Sequence, residues 1–126
     1  MMNIIGRVFG GVRRKEMIVG GQTYEVATFS GSIKKIVGLD TMVKRAKYKK
    51  IVITDSNFKR LFVYQRNIPE YLRGQVVFAL VGSNQMNDSV LDIRCLFWSP
   101  LKGWENVGLN QEFTLNGSCT FISDKL

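Results

Sequence analysis

Apolar and polar residues alternate with a period of two along much of the chain, and glycine, serine, asparagine or aspartate interrupts the alternation at short intervals. A period of two is the signature of half-buried strands, and those four residues are the ones that tolerate turn geometry. Asn3 to Phe9 reads as a first strand, after which Gly10-Gly11 releases the chain into a basic loop, Arg13-Arg14-Lys15. Glu16 to Val19 and Gln22 to Phe29 flank Gly20-Gly21, a two-residue connection that accepts positive φ at both positions and so predicts a hairpin. Ile33 to Val37 reads as a short continuation strand. Asp40 is placed to cap a short helix over about Thr41 to Lys47, with Met42, Val43 and Ala46 on one side. Ile51 to Ile53 is strongly β by composition. Asp55-Ser56-Asn57 then reads as a turn, and Phe58 to Tyr64 as the returning strand.

Further on, Asn67 to Leu72 predicts one helical turn, with Pro69 tolerated near its start and Gly74 ending it. Gln75 to Val81 is the most apolar strand, Ser83 to Asp88 a polar loop, and Val90 to Trp98 another strand stopped by Ser99-Pro100. Glu112 to Leu115 and Ser118 to Ile122 surround Asn116-Gly117, a strong local hairpin signal. This many short strands with little helix predict an all-β, mainly antiparallel single domain over residues 1–126. The preferred solution is a Greek-key barrel of the OB type with one short helix and a C-terminal β-hairpin, because closure hides most sheet edges.

Composition narrows the function. The chain of 126 residues is one domain by length and can bury roughly 65% of its unfolded surface. There is no histidine, which removes the commonest general base and the usual nucleophile dyads and triads, and no enzymatic activity or cofactor is expected. Cys95 and Cys119 are too few and too far apart for a paired-cysteine zinc site, and read as buried free thiols or one cross-strand disulfide. Asp88 and Asp92 have no spacing specific to a metal, and no metal site is expected. The longest apolar run, Val76 to Val81, is far short of the roughly 20 residues needed to span a bilayer. No secretory signal is read at Met1 to Ile5, so a cytoplasmic location is expected.

Charge changes the picture most. The net charge is +8, and residues 1–73 hold 15 of the 18 Lys and Arg but 5 of the 10 Asp and Glu. A regional positive field on a β surface that also carries aromatic rings suits a sequence-tolerant binder of single-stranded nucleic acid. Read as a strand, Lys59 to Arg66 puts Leu61 and Val63 on one face and Arg60, Phe62, Tyr64 and Arg66 on the other: guanidinium groups for phosphates, rings for bases. The run Lys44 to Lys50 contributes Lys44, Lys47, Tyr48 and Lys49, with no acidic residue between Thr41 and Thr54. Arg13, Arg14 and Lys15, together with Lys34 and Lys35, supply two further basic loops. Trp98, at a strand end, reads first as core and second as a stacking ring, whereas Trp104, in the following loop between Gly103 and Glu105, reads as exposed.

Two stretches then resemble a known family. Ile4-Ile5-Gly6-Arg7-Val8 resembles the opening strand of bacterial-type single-stranded DNA-binding proteins. Glu70-Tyr71-Leu72-Arg73-Gly74-Gln75-Val76, running on to Gly82, resembles the segment of that family where a helix ends and the next barrel strand begins. The family's tryptophan and phenylalanine-glycine-lysine stretch has no counterpart in Lys49 to Tyr64, and the chain ends at Ser123-Asp124-Lys125-Leu126 without an acidic tail. A compact, tail-less version is similar to the small single-stranded DNA-binding proteins of bacteriophages. That resemblance implies an OB-fold, a homodimer or larger homo-oligomer, coating of single-stranded DNA in replication or recombination, and a role for Arg7. Two other readings share these features: a β-rich viral assembly component with a basic face, and an RNA-binding protein on the same barrel.

Overall fold

The computed structural model describes residues 12–29, 36–82, 92–109, 114–116 and 119–125. Its strands are β1 (Val12–Val19), β2 (Gln22–Phe29), β3 (Ile36–Gly38), β4 (Ile53–Thr54), β5 (Val77–Gly82), β6 (Asp92–Ser99), β7 (Gly103–Gly108), β8 (Thr114–Asn116) and β9 (Cys119–Asp124). Two α-helices, α1 (Leu39–Tyr48) and α2 (Asp55–Val63), and two 3-10 turns, Gln65–Asn67 and Glu70–Leu72, complete the described elements. The fold is β-rich, as the alternation predicts. Among the described residues the main sheet is open and mixed, in the order β1-β2-β9-β5-β6-β7, with β4 also paired to β5 and with β3 and β8 forming a separate two-stranded sheet. Most pairs are antiparallel, but β5 runs parallel to both β4 and β9. The order β9-β5-β6-β7 sets the last strand beside the first of a meander, through a parallel pair rather than the antiparallel one of a Greek key.

The hairpin at Gly20-Gly21 forms as expected: Val19 pairs with Gln22, and the two glycines take φ of +58° and +80°. The basic stretch Arg13 to Lys15 is part of β1 rather than a loop. Among the described residues the two arms of the predicted C-terminal hairpin do not pair with each other. β8 pairs with β3, whereas β9 inserts between β2 and β5, so long-range pairing overrides a favourable local turn.

The second correction concerns Phe58 to Tyr64, which is helical. The Thr54 hydroxyl accepts the Asn57 N–H at 3.4 Å, Asp55 occupies the first turn, and Lys59 pairs with Asp55 one turn on at 3.1 Å. Phe58, Leu61 and Phe62 share the helical face that meets the sheet. The same residues fit a strand's alternation only if the cap is ignored. α1 spans Leu39–Tyr48, close to the helix expected there, so the described chain has two helices rather than one.

Both sheet faces are covered. On one face, α2 and the 3-10 turns place Phe58, Leu61, Ile68 and Leu72 against Val26, Val77, Leu96, Trp104 and Ile122. On the other, Met42, Val43 and Ala46 of α1 pack with Phe29, Phe78, Leu80 and Phe121. Leu61, Leu72, Val77, Leu80 and Phe121 are fully buried. Polar ties lock the first layer. Asp124 accepts the Thr54 N–H at 3.0 Å and the Asn57 amide at 2.8 Å. Gln65 accepts the Trp104 N–H at 2.8 Å. Arg60 donates to the Gly20 carbonyl at 3.0 Å, and Asn67 accepts the Gly20 N–H at 3.1 Å.

Candidate nucleic-acid interface

Alternation along β1 divides the first basic cluster between the two faces of the sheet. Arg13 and Lys15 lie on the face that carries α2, and Arg14 lies on the face that carries α1. Arg14 is committed locally, donating to Glu25 at 3.0 Å and to the Lys49 carbonyl at 2.9 Å. Arg13 and Lys15 instead line a shallow groove of about 120 Å³ with Val26, Thr28, Tyr71, Leu72, Gln75 and Thr120. Among the described residues no acidic side chain lines it. Lys15 Nζ sits 5.1 Å from the centre of the Tyr71 ring, and Tyr71 is half exposed. Gln75 accepts from the Thr120 hydroxyl at 3.0 Å and donates to the Tyr71 carbonyl at 3.3 Å, which holds the groove floor to its wall.

The surface continues past Gln75. Val77 pairs with Leu96, so Trp98 lies beyond Leu96 on the side toward Gln75. The Arg73 guanidinium stacks over Trp98 at 4.5 Å. Trp98 is partly buried against the core, and Arg73 Nε is buried with no hydrogen-bond partner among the described residues. The Arg13 end of the sheet therefore presents two cation-capped rings, Lys15 on Tyr71 and Arg73 on Trp98.

The arginine and aromatic stripe expected at Arg60 to Arg66 is dissolved by the helix. Arg60 and Tyr64, four residues apart, stay together, with the guanidinium 5.6 Å from the ring. Phe62 turns toward the core and meets Phe58 edge-on at 5.2 Å between centroids. Tyr64 is part-exposed and leans on Gly20, where a Cβ would collide with its ring. Arg66 is exposed. Lys44, Lys47 and Lys49 are exposed on and after α1, as is Tyr48 at 84%. Trp104, expected in a loop, is in β7 opposite Trp98 and 4% exposed, because a second hairpin follows Ser99-Pro100. Arg7, Lys34 and Lys35 lie outside the described residues, as do Asp88 and the Ser83 to Asp88 loop.

A larger cleft of about 380 Å³ lies between α2 and β6–β7, lined by Asp55, Phe58, Lys59, Phe62, Val81, Asp92, Arg94 and Asn106. Its charges cancel: Lys59 pairs with Asp55 at 3.1 Å and Arg94 with Asp92 at 3.4 Å. A polyanion gains little from such a cleft, so the smaller groove is the better electrostatic candidate.

Both thiols are free: Cys95 is half-buried and Cys119 buried. Burial raises the Cys95 pKa and pushes that of Cys119 from 9.0 up to about 12, which leaves neither as a ready nucleophile. Among the described residues no group of three His, Cys, Asp or Glu side chains could hold a metal ion, and no helix is long and apolar enough to cross a membrane.

Sequence reasoning missed Tyr71, Arg73 and Gln75 as surface residues of interest. Their signal was the alternation around the buried Leu72, an aromatic and an arginine on either side of one core residue. Searches of protein-family models, curated proteins and solved structures find no match to the chain.

Proposed function

We propose that the protein binds single-stranded nucleic acid, DNA foremost, with little sequence preference and without catalysis. The observation that carries this reading is the groove in which Arg13 and Lys15 flank the half-exposed Tyr71, with no acidic side chain among its described lining residues. Cations there take the phosphates and release counterions, while Tyr71 stacks on a base. The Arg73–Trp98 pair extends the track. Arginine over an aromatic is itself a flat platform on which a further base can lie. Neither contact reads base edges, which is why the reading carries no sequence preference.

The OB-type architecture belongs to the same proposal. Its support is the mainly antiparallel, β-rich sheet with the β5-β6-β7 meander. Coating of DNA by a dimer or larger homo-oligomer is likewise part of it, resting on the sequence resemblance.

The test is a fluorescence titration with oligo-dT at two salt concentrations. Trp98 reports the track and Trp104 is shielded, so a salt-sensitive change of Trp98 emission that is lost in Trp98→Phe is the expected result. No change in emission or in anisotropy of the labelled oligonucleotide, or equal affinity for duplex, overturns the reading. Competition by a matched RNA oligomer at equal strength would reassign the preferred ligand to RNA.

A further inference from the structure

The groove does not use the basic surface of α1. α1 packs through Met42, Val43 and Ala46 on the sheet face opposite the groove. Its outer side and C-terminal turn present Lys44, Lys47, Lys49 and Lys50, all exposed. Among the described residues no acidic side chain pairs with Lys47, Lys49 or Lys50. Tyr48 is exposed among them. Arg14 turns to this side and donates to the Lys49 carbonyl, tying β1 to the turn.

Lys50 supplies a second observation. It has φ of +60°, the only non-glycine described with positive φ. It sits where the helix ends in a Schellman-like turn, with Ile51 N–H donating to the Ala46 carbonyl at 2.8 Å and Lys50 N–H to the Lys47 carbonyl at 3.0 Å. Glycine is the residue that adopts this geometry without strain. A lysine held there keeps a cation on the surface at a conformational cost.

We infer that the protein bridges two single strands and speeds the annealing of complementary ones. One strand sits in the groove; the other is held by its phosphates on α1. This rests on the groove reading above. The groove spans only a short stretch, so the flanking nucleotides of its strand stay unpaired. A strand held chiefly through phosphates keeps its base edges free. Two surfaces on opposite faces of one small domain convert a bimolecular encounter into a local one.

The experiment uses two complementary mixed-sequence DNA strands carrying a donor and an acceptor fluorophore. Pairing is followed with and without the full-length protein, and groove occupancy is read separately from Trp98 emission with short oligo-dT. Wild type should accelerate pairing at near-stoichiometric protein and lose the effect in large excess, when each strand is coated separately. Lys44→Glu, Lys47→Glu and Lys49→Glu combined should cut the acceleration about tenfold and leave the Trp98 response to short oligo-dT in place. Lys50→Gly should also reduce the acceleration while raising the melting temperature, which separates lost charge from lost fold.

Binding without faster pairing overturns the bridging inference alone. So does a triple variant that anneals like wild type, or one that loses short-oligonucleotide binding and annealing together, since the two surfaces would then be one continuous track. Absence of any oligo-dT binding by wild type instead sinks the groove reading beneath it.

Discussion

Tyr71 and Leu72 are consecutive, and their fates show how one turn divides labour. Leu72 is fully buried under the sheet's first layer, and Tyr71 stands half exposed beneath the Lys15 ammonium. Replacing Tyr71 with alanine removes a half-exposed ring that belongs to neither buried core cluster, so the melting temperature should hold. Oligo-dT affinity should fall by about 1–3 kcal/mol, the worth of one stacked base. Thermal denaturation and anisotropy on the same preparation check both halves, and an unchanged affinity would remove Tyr71 from the interface. Lys15→Ala should weaken binding less at high salt than at low salt, because a point charge is screened and a stacked ring is not. The only sequence signal for Tyr71 and Arg73 is their place on either side of the apolar Leu72, and a turn this short has too little periodicity to turn that into an outward-facing pair.

At the scale of elements, the β1–β2 hairpin and α2 depend on each other. Arg60, Tyr64 and Asn67 all address Gly20, which has no side chain and a φ of +58°. Gly20→Ala must both strain the backbone and push the Tyr64 ring aside. A loss of about 1–3 kcal/mol is expected from these combined costs. Gly21→Ala meets no neighbour within 4 Å and should cost less. Chemical denaturation of the two variants checks the order, and Gly21→Ala proving the more damaging would contradict the packing. α2 illustrates why Phe58 to Tyr64 misled. Apolar residues at 58, 61 and 62 suit a helix, those at 61 and 63 suit a strand, and the choice came from the Thr54 cap and the sheet beneath. Conversely, Asn116-Gly117 has ideal hairpin chemistry, yet its flanking segments found better partners elsewhere in the fold.

For the whole molecule, titration gives a sharp expectation. Burial lifts the Tyr24 phenol from 10.0 to about 12, with Asp124 adding to the rise and Arg60 opposing it, and burial lifts the Cys119 thiol from 9.0 to about 12. Both folded-state values exceed the unfolded ones, so the unfolded chain gives up these protons first. Their stabilising contribution is complete below pH 9 and is lost as the pH rises toward 12. Denaturation midpoints measured from neutral pH upward should therefore fall across that window, and a rise would contradict the burial of both groups. Binding should respond to salt in the same global way. Several released counterions give a log affinity that falls with log salt by several units of slope, and a flat response would argue against phosphate contacts.

The amino-acid pattern by itself established a β-rich chain, the Gly20-Gly21 hairpin, a short basic helix near residue 40, a wholly buried strand before Gly82, and an electropositive amino-terminal portion. Each follows from local periodicity, turn chemistry or charge, which adjacent residues suffice to specify. Only the tertiary structure decided that the sheet is mixed, that Phe58 to Tyr64 is a helix, and that β9 leaves its local neighbour to sit between β2 and β5. It also distributed the cations over two faces and brought Lys15 to Tyr71 and Arg73 to Trp98. Those outcomes depend on contacts between residues far apart in the chain, where burial of a shared core outweighs the preference of any single segment.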